Sequence, residues 1–289
     1  MTRTSPTVAG WELMLRILNR ATDRGVKAGA IAKALDVSQQ YWSKVSHGRG
    51  MLSEDKLAIL LRLLEFEPAD QGELRALREV AKGQNPYAEY SALFYESLMR
   101  FFGLEAGAQC IRSFENGVVP GLLQTEDYMR ALMKGSVATG RPHEVEQRVK
   151  ARRQRQQLLD DPEPLQLSVI MGEAALMYQV GGPEVHREQL RHLLTLIDGR
   201  PETLDIRLIS FEAGGAIAAL NSATFHLLDF ESGRLPTLGW VEAAAYGEIA
   251  EDRKWVNEMG YLYSQVQSIA LGREDSINLI DRIASRNIG

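Results

Sequence analysis

The chain has 289 residues, 45% of them hydrophobic and 25% charged, with a net charge of −5 and a single cysteine, Cys110. This length accommodates one small domain and a larger one with its own core, and a single cysteine excludes an intramolecular disulfide framework. The acidic balance argues against a protein that coats nucleic acid with its whole surface. The lack of long apolar runs and of a signal-peptide pattern predicts a cytoplasmic protein that does not enter a membrane.

The first part of the chain predicts a small bundle of helices that follows a tail at residues 1–10. Apolar side chains recur at helical spacing in residues 11–24. Residues 53–66 open with a serine and two acids, as many helices do, and then repeat this spacing, and a further helix is predicted at residues 70–82. These helices indicate an all-α domain over residues 11–82.

Residues 31–50 predict a helix, a sharp turn and a second helix. Asp36 stands where the chain must turn, because Asp is one of the few non-glycine residues that tolerate a left-handed backbone, and Ser38 is placed to cap the second helix. Trp42 and Val45 are predicted to pack inward. The other polar side chains of this helix and its end are predicted to point outward: Gln39, Gln40, Ser43, Lys44, His47 and Arg49.

This polar set, together with Ser38, suits recognition of double-stranded DNA. Gln pairs with adenine and Lys with guanine, while Ser contacts base or phosphate and Arg49 lies where the DNA backbone would pass. Residues 1–66 carry ten Lys or Arg against six Asp or Glu, a net charge of +4, whereas the rest of the chain carries −9. We therefore predict a DNA-binding module, and a homodimer because one module contacts only half of a site. The alternative is an ordinary solvated helix face.

Residues 26–66 resemble the XRE family of helix-turn-helix regulators. That family commonly has a Thr-Gln pair at the start of a helix, where the Gln binds phosphate, and this chain has Lys27 and Ala28 there. The family also often has Glu followed by Arg or Asn before the closing glycine, where this chain has Ser46 and His47. The resemblance implies a transcriptional regulator, with Lys27 in the role of the phosphate-binding residue.

Glycine and proline at residues 83–86 predict a linker, so that residues 87–289 form a second domain. Helical spacing recurs in five segments: residues 87–133 with a break at 117–120, then 142–159, 183–197, 251–270 and 274–285. Four segments alternate as strands do: residues 165–170, 204–210, 223–230 and 237–242. Strands in mid-chain flanked by helices predict an α+β domain with a mostly antiparallel sheet of about four strands.

Several phrases of this second part stand in a characteristic order. They are VVPGLLQTEDYMRAL from residue 118, RVKARRQRQQLL from 148, GEAALMYQVGG from 172, REQLRHLL from 187 and ALGREDSINLI from 270. Together they resemble the antitoxin-like effector domain that follows an XRE module in many actinobacterial regulators, the WhiJ-like group among them. The resemblance implies a small partner protein encoded nearby. It also implies kinship with PAS-like domains, which would admit a small-molecule ligand such as an acyl chain.

The basic phrase places Arg148, Arg152 and Arg155 on one helix face. Such a face is typical either of a second surface that contacts phosphate or of charges that pair with acidic neighbours. Residues 212–221 contain glycines and small apolar side chains, which suit a loop over a pocket or a surface that faces a partner.

Residues near the predicted strand ends are candidates for a ligand site. Trp240, Glu242 and Tyr246, together with Phe225, could line a cavity, and the alternative is core packing around one paired carboxylate. His226 lies opposite Phe225 on its strand and is expected on a solvated face.

No metal-binding cluster or catalytic motif accompanies these residues, so we expect neither an enzyme nor a cofactor. The first hypothesis is a sequence-specific DNA-binding transcriptional regulator whose second domain senses a partner protein or a small ligand. The second is an antitoxin-like interaction protein that sequesters a small partner protein, with DNA binding secondary.

Overall fold

In the structure, a computed structural model that describes residues 3–135, 142–213, 224–243 and 246–286, the chain divides into two units, Thr4–Ala88 and Glu89–Gly289, with Arg3 in the second. The division falls just after the predicted linker, and the predicted domain limits themselves stay a prediction. No described helix is long and apolar enough to cross a membrane.

The first unit is a bundle of helices whose apolar stripes meet in one core. The helices are α1 (Pro6–Asp23), α2 (Ala28–Ala34), α3 (Gln39–Ser46), α4 (Glu54–Leu63) and α5 (Pro68–Ala81). Serine hydroxyls accept hydrogen bonds from free backbone N–H groups at the starts of α1, α3 and α4: Ser5 from Val8, Ser38 from Tyr41 and Ser53 from Lys56. These caps satisfy donors that have no partner within a helix, and the predicted cap at Ser38 is confirmed.

The connection between α2 and α3 turns at a single residue in the left-handed region. Asp36 has a φ of 51°, as predicted. Its N–H donates to the Lys33 carbonyl oxygen at 3.2 Å, and the Val37 N–H donates to the Ala32 carbonyl oxygen at 3.0 Å. These bonds end α2 and direct the chain into α3 within a few residues.

The second unit contains a mixed sheet. Its described strands are β1 (Cys110–Glu115), β2 (Gln166–Gly172), β3 (Leu204–Ile209), β4 (Thr224–Asp229), β5 (Leu238–Glu242) and β6 (Gly247–Ala250). They lie in the order β3-β2-β1-β4-β5-β6, with β1–β2 and β2–β3 parallel and the other pairs antiparallel. The helices around the sheet are α6 (Glu96–Gly107), α7 (Glu126–Gly135), α8 (Pro142–Gln156), α9 (Pro183–Gly199), α10 (Arg253–Ile269) and α11 (Arg273–Ser285).

The α+β class is confirmed, but the expectation of about four mostly antiparallel strands is wrong. The sheet has six described strands and two parallel pairs, which also contradict an antiparallel, PAS-like arrangement. The chain runs through α7 and α8 between β1 and β2, and through α9 between β2 and β3, because parallel neighbours need long crossover connections. β1 lies within residues 87–133, where helix was predicted.

The two faces of the sheet have different coverings. On one face, Phe114, Phe225 and Leu227 form a core with side chains of α10. The other face carries Ser113, Glu115, Thr224, His226, Trp240 and Glu242 and lies toward α6 and α8, because side chains alternate along each strand. The more polar second face therefore borders the space where a ligand site can form.

Candidate nucleic-acid interface and ligand cavity

The helix α3 is anchored to the core of the first unit by two side chains. Trp42 is 3% exposed and Val45 is 1% exposed, which confirms the predicted inward pair. His47 caps the C-terminal end of the helix, and Gly48 follows with a φ of 74°, a conformation that glycine adopts without strain. The anchor fixes which side of α3 remains outside.

Every residue predicted to contact DNA is exposed. These residues are Lys27, Ser38, Gln39, Gln40, Ser43, Lys44, His47 and Arg49. Gln40, Lys44 and His47 are spaced four and three apart and so share one helix face. Lys27 instead immediately precedes α2, and Arg49 lies beyond the end of α3.

One member of the set has a defined hydrogen bond within the helix. The Nδ1 atom of His47 lies 2.6 Å from the carbonyl oxygen of Ser43. A carbonyl oxygen can only accept, so Nδ1 carries the proton and Nε2 of the neutral ring is an acceptor. The exposed face of α3 thus presents amide, hydroxyl, ammonium and imidazole groups.

The second unit contains a cavity of about 820 Å³ between the polar face of the sheet and the helices α6, α7 and α8. Its apolar wall includes Phe94, Leu98, Phe101, Phe102, Ile111, Val119, Leu122, Leu132 and Met133. Its polar wall includes Ser113, Glu115, Gln124, Arg148, Arg152, Arg155, Thr224, His226 and Glu242. This volume and mixed lining are typical of pockets for small organic molecules.

The three arginines that share one face of the basic phrase, Arg148, Arg152 and Arg155, all line this cavity, and two of them pair with acids. Arg155 donates from Nε and Nη2 to Glu105 at 2.6 and 2.8 Å, and its guanidinium lies 4.2 Å from the centre of the Phe102 ring. Arg148 donates to Glu144 at 3.3 Å and to the Leu93 carbonyl oxygen at 2.8 Å. For Arg148 and Arg155, the structure therefore agrees with the predicted alternative in which the arginines pair with acidic neighbours.

Arg152 has a different environment. Its Nη1 donates to Oε1 of Gln124 at 2.6 Å, and no carboxylate oxygen of a described residue lies within 4.0 Å of its guanidinium. Burial lowers the pKa of Arg152 to about 10, and the nearby Arg155 acts in the same direction. The side chain lies inside the unit but keeps part of its surface open to the cavity, and at neutral pH it is a cation.

The segment around Gly121 leaves space for the side chain of Arg152. A Cβ atom on Gly121 would lie 3.2 Å from Nε of Arg152, so a side chain there would crowd the guanidinium. Gln124 is 3% exposed and donates to the Val119 carbonyl oxygen at 2.6 Å, which holds its Oε1 toward Arg152. Gln156 donates to the carbonyl oxygens of Gly121 and Gln124, so α8 and this segment form one hydrogen-bonded wall.

Glu115 and His226 are a pair of buried titratable groups in the same wall. Glu115 accepts hydrogen bonds from Ser113 at 3.2 Å and Thr224 at 3.1 Å, and it lies 3.7 Å from Nε2 of His226. Burial, with a smaller effect of the negative charge of Glu242, raises the pKa of Glu115 to about 8. Burial also lowers the pKa of His226 to about 3. Both side chains are therefore mostly uncharged near pH 7.

The expected solvated position of His226 is wrong. Its side chain is 13% exposed, and the Phe101 ring lies 5.7 Å away between ring centres. Alternation along β4 correctly places His226 opposite Phe225, but α6 covers that face of the sheet. A single strand does not reveal which helix will cover it.

The residues predicted to line a ligand cavity are only partly brought together. Glu242 and Tyr246 lie in the cavity wall. Trp240 is on the same side of the sheet but is fully buried, with its ring stacked 4.6 Å from that of Phe101. Phe225 faces α10 and belongs to the core on the opposite face. Of the predicted loop at residues 212–221, residues 214–221 lie outside the described residues.

The sequence prediction missed Arg152 and Glu115 as residues of one site. The shared face of the three arginines was a signal, but it could not show that Arg152 alone lacks a carboxylate partner nearby. In the described ranges there is no group of three or more His, Cys, Asp or Glu side chains that could hold a metal ion.

The fold and the cavity fall within a recognised family. The chain belongs to the family described as Domain of unknown function (DUF5753), whose model matches residues 98–282. That span runs from α6 into α11 and contains the whole described sheet and most of the cavity wall. Comparisons with curated proteins and with solved structures found no match.

Proposed function

We propose that this protein is a sequence-specific DNA-binding regulator of transcription of the XRE helix-turn-helix type, active as a homodimer, whose DUF5753 unit receives a signal. The observation that carries the proposal is the outer face of α3. It is polar along its length and carries the basic Lys44, it is exposed, and Trp42 and Val45 hold it in place.

The chemistry of this face supports base recognition in the major groove. The amide of Gln40 matches the N6 and N7 positions of adenine, and the ammonium group of Lys44 matches O6 and N7 of guanine. Lys27 and Arg49 add positive charge at either end of the helix pair, where phosphates would lie. An ordinary solvated helix face would also be polar, but it would show no specific DNA affinity.

The cavity supports a small molecule as the signal. A ligand changes DNA affinity if it binds one arrangement of the protein more tightly than another.

The other candidate, an interaction protein that sequesters a small partner protein, has one observation in its favour. Trp255, Tyr261 and Leu262 on α10 are 39%, 66% and 37% exposed, which suits contact with another protein.

The proposal is tested by titrating the full chain against DNA from upstream of its own gene, with fluorescence anisotropy or gel shift as the measurement. We expect specific binding that weakens steeply as salt concentration rises. Gln40→Ala and Lys44→Ala should each cost about 1 to 3 kcal/mol of specific binding, or roughly 5- to 150-fold in affinity.

Lys82→Ala is the matched control, because it removes the same charge from the end of α5, outside the predicted contact set. It should leave specific affinity unchanged. If both α3 variants kept full affinity, the surface that recognises DNA would have to lie elsewhere on the protein. No shift at all, together with a stoichiometric complex with the product of a neighbouring short reading frame, would favour the interaction protein.

A further inference from the structure

We propose that the cavity of the DUF5753 unit binds an amphipathic organic anion, with Arg152 holding its acidic head group and the aromatic and aliphatic wall enclosing its apolar body. The inference rests on the signal-receiving role proposed above and names the chemical class of the signal.

The first support is the charge balance of α8. A buried guanidinium is costly unless an anion accompanies it, and Arg148 and Arg155 each have a carboxylate in contact. Arg152 lies between them on the same helix, and no carboxylate oxygen of a described residue lies within 4.0 Å of its guanidinium. Glu242 and Glu105 act on Arg152 only at longer range. A ligand carboxylate, sulfonate or phosphate would supply the missing partner.

The geometry of Arg152 leaves donors for such a group. Its described hydrogen bond uses one N–H of Nη1, toward Gln124, so the remaining N–H groups are available for a paired contact with two oxygen atoms. Gly121 keeps the space beside Nε free of a side chain. The guanidinium is therefore fixed in position before any ligand arrives, which lowers the entropic cost of binding.

The neighbouring acid does not cancel this positive charge near pH 7. Glu115 is buried, accepts bonds from Ser113 and Thr224, and is mostly protonated because its pKa is raised to about 8. Glu242 is exposed, so water screens its interaction with Arg152.

The wall and the volume indicate an apolar body for the ligand. A cavity of about 820 Å³ is far larger than a small inorganic anion requires. Phe94, Leu98, Phe101, Leu132 and Met133 would gain little from such an ion, whereas they would shed water against a hydrocarbon or aromatic group. Charge at one wall and apolar surface elsewhere define an amphipathic molecule.

The test uses two pairs of probes that differ in charge, added to the full chain in the absence of DNA. The fluorescent pair is 8-anilinonaphthalene-1-sulfonate, an anion, and N-phenyl-1-naphthylamine, which lacks the sulfonate. The aliphatic pair is decanoate and 1-decanol. We expect the wild-type chain to bind the anilinonaphthalene sulfonate, and decanoate to displace it at concentrations where decanol does not.

Arg152→Gln should weaken binding of the anilinonaphthalene sulfonate at least tenfold and change binding of the uncharged probe less than twofold. Arg153→Gln is the matched control, because Arg153 lies on the same helix with its side chain 63% exposed, outside the cavity wall, in an ion pair with Glu126. It should leave both probes unaffected. Wild-type affinity in Arg152→Gln, or failure of both anions to bind the wild-type chain, overturns the proposal.

A second variant keeps the test decisive if Arg152→Gln does not fold. Leu132→Trp adds bulk to the apolar wall while leaving Arg152 in place, and it should weaken both fluorescent probes. Unchanged binding of both probes would place the site elsewhere and overturn the proposal. These assays contain no DNA, so the two proposals can fail separately. If the probes do not bind but the chain still binds its operator, only the ligand class is rejected. If the probes bind but the chain does not bind an operator, the regulator is rejected.

Discussion

The Glu105–Arg155 ion pair is a buried polar contact of the cavity wall and gives a sharp test of its energetics. The Glu105 side chain is 3% exposed and that of Arg155 is 11% exposed, and two hydrogen bonds of 2.6 and 2.8 Å join them. Glu105→Gln keeps the shape and one acceptor oxygen but removes the negative charge. The variant thereby leaves a buried cation without its counter-charge.

The expected loss follows from the burial of the pair. Removing one partner of a buried pair costs about 3 to 5 kcal/mol. The Phe102 ring lies 4.2 Å from the Arg155 guanidinium and would retain part of the stabilisation of the cation. We therefore expect Glu105→Gln to lower the free energy of unfolding of the second unit by about 3 kcal/mol, near the lower limit of that range.

Urea denaturation of the full chain, followed by tryptophan fluorescence, measures this loss. Trp240 stacks on Phe101, in the helix that carries Glu105, and so reports on the second unit, while Trp11 and Trp42 report on the first. Only the transition of the second unit should shift to lower urea concentration.

Glu146→Gln is the matched control. Glu146 accepts two hydrogen bonds from Arg130, at 2.9 and 3.2 Å, but its side chain is 64% exposed. Solvent screens this pair, so the variant should unfold with the wild-type midpoint. Equal shifts in Glu105→Gln and Glu146→Gln would refute the assignment of the loss to burial.

Two further predictions concern the anchor of α3 and the buried acid. Trp42→Ala should lower the free energy of unfolding of the first unit by about 3 to 5 kcal/mol, measured by urea denaturation, and should thereby abolish DNA binding. Gln40→Ala, at an exposed position, should lower DNA affinity without lowering stability. A Trp42→Ala variant as stable as the wild type would contradict the anchoring role. Because the pKa of Glu115 is raised to about 8 in the folded chain, the folded state keeps a proton that the unfolded state loses above about pH 4.5, and stability contributed by this group declines as pH rises from there to about 8. Burial also lowers the pKa values of His226, His186 and His192, and these groups still affect stability just above pH 6.5. They are present in both proteins, so the difference between the proteins reports Glu115: between pH 6.5 and pH 8, Glu115→Gln should lose less unfolding free energy than the wild type.

Features that depend on a few adjacent residues were predictable from the chain alone. Ser38 caps α3, Asp36 adopts a left-handed conformation, and Trp42 and Val45 pack inward, because each depends on local backbone geometry or helical spacing. The four predicted strands are present for the same reason, since alternation is a local pattern.

The strands β1 and β6 and the parallel pairs were not predicted. In β1, both Ile111 and Phe114 are buried, so its apolar residues are three apart and do not alternate as those of a half-exposed strand do. β6 has only four residues. The order strand, helix, strand from β2 through α9 to β3 did contain a signal for parallel pairing, which the prediction of a mostly antiparallel sheet did not use.

The sequence alone thus determined the helix-turn-helix pattern and most element positions, whereas the cavity is a product of tertiary structure. Its polar wall joins Glu115 of β1, Gln124 before α7, Arg152 of α8 and His226 of β4, which are far apart along the chain. Which arginine meets a carboxylate depends on how α6 packs across the sheet, because Glu105 of α6 pairs with Arg155. Such contacts form only when distant segments pack together, and local propensities do not encode them.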